Sequence, residues 1–158
     1  MVRSENSHRG WLGDVDEGLE WLPVVEIGER DWLGVRRSGE WVLDREGQLV
    51  SVESLSFVPA LPLLQREREL FELEVQRRLG AVGIGDTSRY GFPVPRLLEQ
   101  ALLGGMEFWA DLALKWLESA DVDERLLKAL VSLQDARWAS QRTRQRARQV
   151  VKQCSGHV

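Results

Sequence analysis

Two kinds of hydrophobic pattern divide the chain, and the change falls near residue 60. Between residues 21 and 52 lie four short apolar runs, LPVVEI, DWLGVR, EWVLD and QLVSV, separated by GER, RSG and REG. Runs of four to six residues rich in Val, Ile, Leu and Trp, joined by glycine-bearing loops, are the signature of hairpins. Gly39 and Gly47 are placed to take positive-φ turn positions that a side chain resists. Strand alternation puts Trp41 and Leu43 on one face, and Leu33 and Val35 on a face opposite Trp32. The pattern predicts an antiparallel meander of three or four strands, which needs a cover on one face.

Residues 61–80, LPLLQRERELFELEVQRRLG, supply that cover as a predicted helix. Leu64, Phe71, Val75 and Leu79 recur near one stripe, with Leu70 and Leu73 beside it and charged residues around the rest. Pro62 suits a first turn and Gly80 the position just past the end. Residues 81–95 contain Gly83, Gly85, Gly91, Pro93 and Pro95, which predicts a long loop of the functional or mobile kind.

The remainder reads as helices. PRLLEQALLGG is a short one, started by Pro95 and closed by Gly104 and Gly105. MEFWADLALKWLES is amphipathic, with Phe108, Leu112 and Trp116 or Leu117 as the expected buried stripe. Asp121 and Glu124 stand three apart before RLLKALVSL, the capping-box pattern. A last helix is expected from about Ser140 to Lys152. The fold expected is α+β: an N-terminal antiparallel β-meander packed on a helix, followed by a C-terminal helical bundle. Its segments are an irregular lead-in (1–20), meander plus helix (21–80), loop (81–95) and bundle (96–158), forming one compact domain. Strands and helices segregated in this way exclude a doubly wound sheet.

Composition narrows the classes. The chain has 158 residues, 43% hydrophobic and 29% charged, ordinary for a globular domain. No stretch approaches the ~20 apolar residues of a membrane span. The N-terminus lacks the apolar core of a signal peptide, so a cytoplasmic protein with no membrane partner is expected. Charge is uneven: residues 1–60 hold twelve acidic and six basic side chains, and residues 137–158 hold none and six. An acidic body thus carries a basic C-terminal segment.

Candidate chemistry is sparse. His8 and His157 sit near the chain ends, and Cys154 is the one cysteine, which excludes an intrachain disulfide and a cysteine-based zinc cluster. The carboxylate pairs, such as Asp14 with Asp16 and Asp121 with Asp123, fall on lead-in, loop or helix-start positions better suited to solvation and capping. GAVGIGD follows a helix and leads into prolines, the wrong context for a phosphate loop. No catalytic residue, metal or cofactor is expected.

Binding signals are clearer. Four of the seven tryptophans, Trp11, Trp21, Trp32 and Trp41, crowd the first quarter of the chain. A sheet that buries one face cannot hide them all, so either the lead-in segment and the helices cover the rest, or some face solvent, and Trp32 and Trp41 are candidate partner-binding residues. Arg89 and Tyr90, between glycines in the loop, join them, because Arg and Tyr are favoured at interface centres. The competing reading is that Tyr90 and Phe92 anchor the loop onto the helices. On the terminal helix, Arg137, Arg144 and Arg148 fall near one face and Arg142 and Arg146 near another. Arg142, Arg144 and Arg148 are the candidates for nucleic-acid contact, set against a net charge of −4.

The segment GEWVLDREGQLVSVESLSFVPAL, residues 39–61, carries a Trp-bearing strand, a D-x-E-G turn, a second strand and Ser-Phe leading into a helix. It resembles the closing strands of SUKH-type proteins. Many of that family are bacterial immunity proteins that neutralise a toxin by binding it. The opening helix of that pattern has no counterpart before residue 21, and the helical C-terminal half lies outside it. The resemblance implies a bacterial protein-binding role and transfers no functional residues.

The function expected is a non-catalytic protein-interaction module, immunity-type or accessory, with a toxin among the candidate partners. An acidic surface would speed encounter with a basic, nucleic-acid-cutting partner. The alternative is a nucleic-acid-linked regulator using the basic C-terminal helix. The oligomeric state is left open by the sequence.

Overall fold

The structure is a computed structural model that describes residues 10–13, 20–28 and 30–155. His8, His157 and the acidic group Asp14, Asp16 and Glu17 lie outside the described residues. The chain divides into two compact units, 1–92 and 93–158. The class is α+β.

The first unit is built on a four-stranded antiparallel sheet in sequential order, β1 (Trp21–Ile27), β2 (Asp31–Arg36), β3 (Trp41–Arg45) and β4 (Gln48–Ser51). The turns explain the order. Between β2 and β3, Gly39 takes φ +97° and its N–H donates to the Arg36 carbonyl at 2.9 Å. Between β3 and β4, Glu46 and Gly47 both have positive φ, the backbone that matches the twist of a two-residue hairpin. Leu22 faces Val35 and Val35 faces Trp41, while Val25, Leu33 and Leu43 form the next row. All six are buried, as the alternation requires. Leu12 covers the free edge of β1 by exchanging two 2.8 Å hydrogen bonds with Trp21.

The expected helix over 61–80 is two elements. Val58–Gln65 is a 3₁₀ helix, Arg66 is extended, and α1 runs Arg68–Ala81. Pro59 and Pro62 explain the break: each lacks an N–H and disfavours α geometry in the residue before it. A three-residue turn also suits the burial of Ala60 with Leu63 and of Leu61 with Leu64. On α1, Phe71 and Leu79 are buried, but Leu70 and Leu73 are each 60% exposed and take no part in the stripe. Phe71 meets Trp41 (centroids 6.2 Å apart) and Phe92 (5.6 Å). Phe92 also packs edge-on to Trp41 and to Phe57.

Among the described residues the second unit holds four α-helices, α2 (Val94–Leu103), α3 (Glu107–Trp116), α4 (Glu124–Gln134) and α5 (Gln141–Ser155). Leu97, Leu98, Leu102, Leu126, Leu130 and Leu133 are almost fully buried and form its centre. The cap of α4 is Asp123, whose Oδ1 accepts from the Leu126 N–H at 2.8 Å. Asp121 serves elsewhere: its carboxylate accepts from the Glu118 N–H and closes a capping box on the 3₁₀ turn Ser119–Asp121. On α3 the buried positions are Ala110, Ala113, Leu114 and Trp116, so Phe108 and Leu112 do not form the buried stripe. Small Ala side chains let the helix approach its neighbours closely, and that turns bulky Phe108 outward.

Candidate functional site

The residues expected to bind a partner scatter. Trp41 is 4% exposed inside the aromatic cluster of the first unit and cannot be a surface anchor. Trp21 is buried as well, while Trp11 and Trp32 are half-buried. Tyr90 is 8% exposed; its hydroxyl donates to the Arg37 carbonyl at 3.1 Å, and its ring lies 6.3 Å from that of Trp11. The Arg37 guanidinium stacks 4.4 Å over Trp11 and pairs with buried Glu20 at 3.2 Å. Tyr90 therefore pins its loop to the β2–β3 turn rather than to helices, and it is not a docking residue. Arg89 beside it is exposed. The four candidates thus supply two surface positions, Trp32 and Arg89, and no joint site.

The basic segment behaves differently from a free phosphate-binding face. Ser140 precedes α5 and its Oγ accepts from the Thr143 N–H at 3.2 Å. Its own N–H donates to Glu107 on α3 at 2.6 Å, which ties the start of α5 to the start of α3. That contact holds the Glu107 carboxyl below the usual carboxylate range, through the Ser140 hydroxyl first and its N–H second. One turn on, Asp111 receives Arg146 at 3.1 Å, Lys115 at 3.4 Å and Arg142 at 3.9 Å. Arg148 donates to the Gln134 carbonyl at 3.2 Å. Arg142 and Arg148 are exposed and Arg144 is half-buried. Arg137 lies before α5 begins, so it does not share a helical face with Arg144 and Arg148. The arginines are in large part turned onto acids and carbonyls of their own unit.

A surface that sequence reasoning missed lies where α2 turns into α3. Leu103, Met106 and Phe108 are 53%, 58% and 54% exposed, three large apolar side chains within six positions. Phe108 stacks edge-on with Trp109 at 4.8 Å. Phe108 and Leu112 also line a surface notch with two acids, Glu107 and Asp111, and two cations, Lys115 and Arg142. The signal was present in EFWADLALKW, apolar on nearly every side. A helix apolar all round needs cover beyond one buried stripe.

A second concavity of about 690 Å³ opens in the same unit, floored by Leu114, Leu117, Leu127 and Val150. Among the described residues, no three His, Cys, Asp or Glu side chains converge to hold a metal ion. None of the helices described is long and apolar enough to cross a membrane. No family model, curated protein or solved structure matches the chain.

Proposed function

We propose that the protein is a non-catalytic protein-interaction module whose partner docks on the α2–α3 corner. The observation that carries this reading is the exposure of Leu103, Met106 and Phe108 within six positions, the last of them beside a notch of mixed charge. Contiguous exposed apolar side chains mark contact surfaces, and Met, aromatic and Arg side chains are enriched in them. An immunity-type or accessory role in a bacterial system is the biological form that the resemblance at residues 39–61 favours. The nucleic-acid reading loses ground, because Arg142 and Arg146 are drawn to Asp111 and Arg148 to a backbone carbonyl.

The test is affinity capture from host lysate, with and without nuclease, using the native chain and a Met106→Ser/Phe108→Ser variant. Both substituted positions are more than half exposed, so folding should be unaffected. One stoichiometric protein that survives nuclease and is lost with the variant supports the module. Recovery that vanishes with nuclease, or that ignores the variant, overturns docking at this corner.

A further inference from the structure

We propose that the groove floored by Leu114, Leu117, Leu127 and Val150 receives an amphipathic helix from a partner, one whose apolar stripe is flanked by basic residues. This surface is separate from the α2–α3 corner, and the inference does not depend on the docking proposed there.

The groove is bounded by the end of α3, the start of α4 and the last turns of α5. Its volume of about 690 Å³ lies within the usual range for binding concavities, and gaps between the helices of a bundle are a common place for them. Leu117, Leu127 and Val150 are only half-buried, so the floor offers apolar surface that the unit's own packing leaves in water. An open trough between helices suits the helix-in-groove mode, in which side chains at i, i+3 or i+4, and i+7 insert as anchors.

Charge selects the occupant. Glu118, Asp123 and Glu124 stand along the lining, and no lysine or arginine does. Asp123 is committed to its own unit, accepting from the Leu126 N–H at 2.8 Å and pairing with Arg96, and the Glu118 side chain is engaged in the capping box with Asp121. Glu124 is 86% exposed and only loosely paired with Lys128 at 3.6 Å, so it can exchange that partner for one on an incoming helix. An acidic flank on the occupant would face Glu124 and be repelled; a basic flank would take the place of Lys128 and be oriented.

Cys154 lines the same groove and is the one cysteine in the chain, so its alkylation rate reports occupancy of this place. The experiment uses the full chain and a synthetic helix of about 18 residues with a Leu stripe and Lys flanks, long enough to be helical when bound. Its counterpart carries Glu in place of Lys, and dodecylamine stands in for a small amphiphilic cation. The expected result is binding of the Leu/Lys helix with about a tenfold slowing of Cys154 alkylation by iodoacetamide at ligand concentrations near ten times Kd. Val150→Glu and Glu124→Lys, at half-buried and exposed positions, should each weaken both effects while leaving the circular dichroism of the protein unchanged. Absence of binding, equal binding of the Leu/Glu helix, or binding that leaves Cys154 reactive would overturn the proposal. Protection by dodecylamine without protection by the helix would overturn it too, in favour of a small-ligand site.

Discussion

The guanidinium Nε of Arg78 donates to the carbonyl oxygen of Pro23 at 2.9 Å, from a side chain only 5% exposed. The contact joins the last turn of α1 to β1, beside the register shift between Pro23 and Val25. Burial, aided by the charge of Arg77, pushes the Arg78 guanidinium below its ordinary pKa, and Glu74 opposes the shift. The cation satisfies a carbonyl near an irregularity of the sheet through Nε, while its Nη2 is buried with no hydrogen-bond partner among the described residues. Arg78→Met keeps most of the aliphatic stem and leaves that carbonyl without its donor. The expected cost is about 1–3 kcal/mol, the penalty for an unsatisfied buried acceptor. Urea unfolding of the two proteins measures it, and an unchanged midpoint would mean the hydrogen bond contributes nothing net.

Gly39 and Gly47 separate two causes of glycine dependence. Their φ values are +97° and +92°, so an alanine is strained by a similar amount at either position. A Cβ on Gly47 would meet nothing within 4 Å, whereas one on Gly39 would lie 2.5 Å from the Arg89 carbonyl oxygen. Gly47→Ala should cost about 1–2 kcal/mol, the left-handed backbone penalty alone. Gly39→Ala should cost more, because the Ser88–Tyr90 turn must also move. Equal losses at the two sites would show that the turn yields without cost.

Tyr90 is legible in the sequence as either a loop anchor or a contact residue, and its burial and its bond to the Arg37 carbonyl favour the anchor. The Tyr90→Phe variant removes one hydrogen bond to the Arg37 carbonyl, and about 0.5–1.5 kcal/mol of stability should go with it. Tyr90→Ala empties a site that is 8% exposed and should cost about 3–5 kcal/mol, as other aromatic truncations do. A Tyr90→Ala protein with a near-native melting temperature would restore the ring as a surface anchor and contradict its packing role.

These cases show where sequence reading reached and where it stopped. The strands were legible because hydrophobic runs and glycine turns coincide, as at Gly39 and Gly47. Class and order followed. The 3₁₀ stretch Val58–Gln65 was hidden because Leu61, Leu63 and Leu64 fit a helical stripe about as well as a three-residue turn. Only the prolines distinguished them. The fate of Trp32 against Trp41 depended on which sheet face meets Phe71, a tertiary fact that no local period contains. The stripe of α3 was misassigned because large side chains were weighted over Ala110 and Ala113, although close packing favours the small ones.

Asp123 makes the helical unit acid-sensitive. The Leu126 N–H, and then the Arg96 guanidinium, hold its carboxyl below the usual carboxylate range. A carboxyl depressed in the folded state stabilises above its unfolded pKa of about 4, and that stabilisation is lost as pH falls through the folded value. Asp123→Asn keeps a capping oxygen but cannot ionise, so its stability should fall less than the native chain's as pH drops from about 5 to about 2. Asp123→Ala loses the cap and should cost about 1 kcal/mol at neutral pH. Chemical denaturation across that range measures both, and parallel curves for native protein and Asp123→Asn would remove Asp123 as the source.

Asp111 decides how much of the basic segment is available to polyanions. Arg146, Lys115 and Arg142 all lie within 4 Å of its carboxylate, and the three cations keep 33%, 56% and 76% of their side-chain surface exposed. Pairs this exposed contribute about 0–1 kcal/mol, so Asp111→Asn should barely change stability. It should, however, release three cations from a shared counter-charge. Phosphate binding grows with the number of cations free to displace counterions. On an immobilised heparin column the Asp111→Asn protein should therefore elute at higher salt than the native protein. The native protein itself should be weakly held, because Arg146, Lys115 and Arg142 share the counter-charge of Asp111 and the net charge is −4. Tight, salt-sensitive retention of the native chain, lost in Arg142→Glu/Arg148→Glu, would instead favour the nucleic-acid reading. Identical elution of native and Asp111→Asn proteins would show that Asp111 does not restrain those cations in solution.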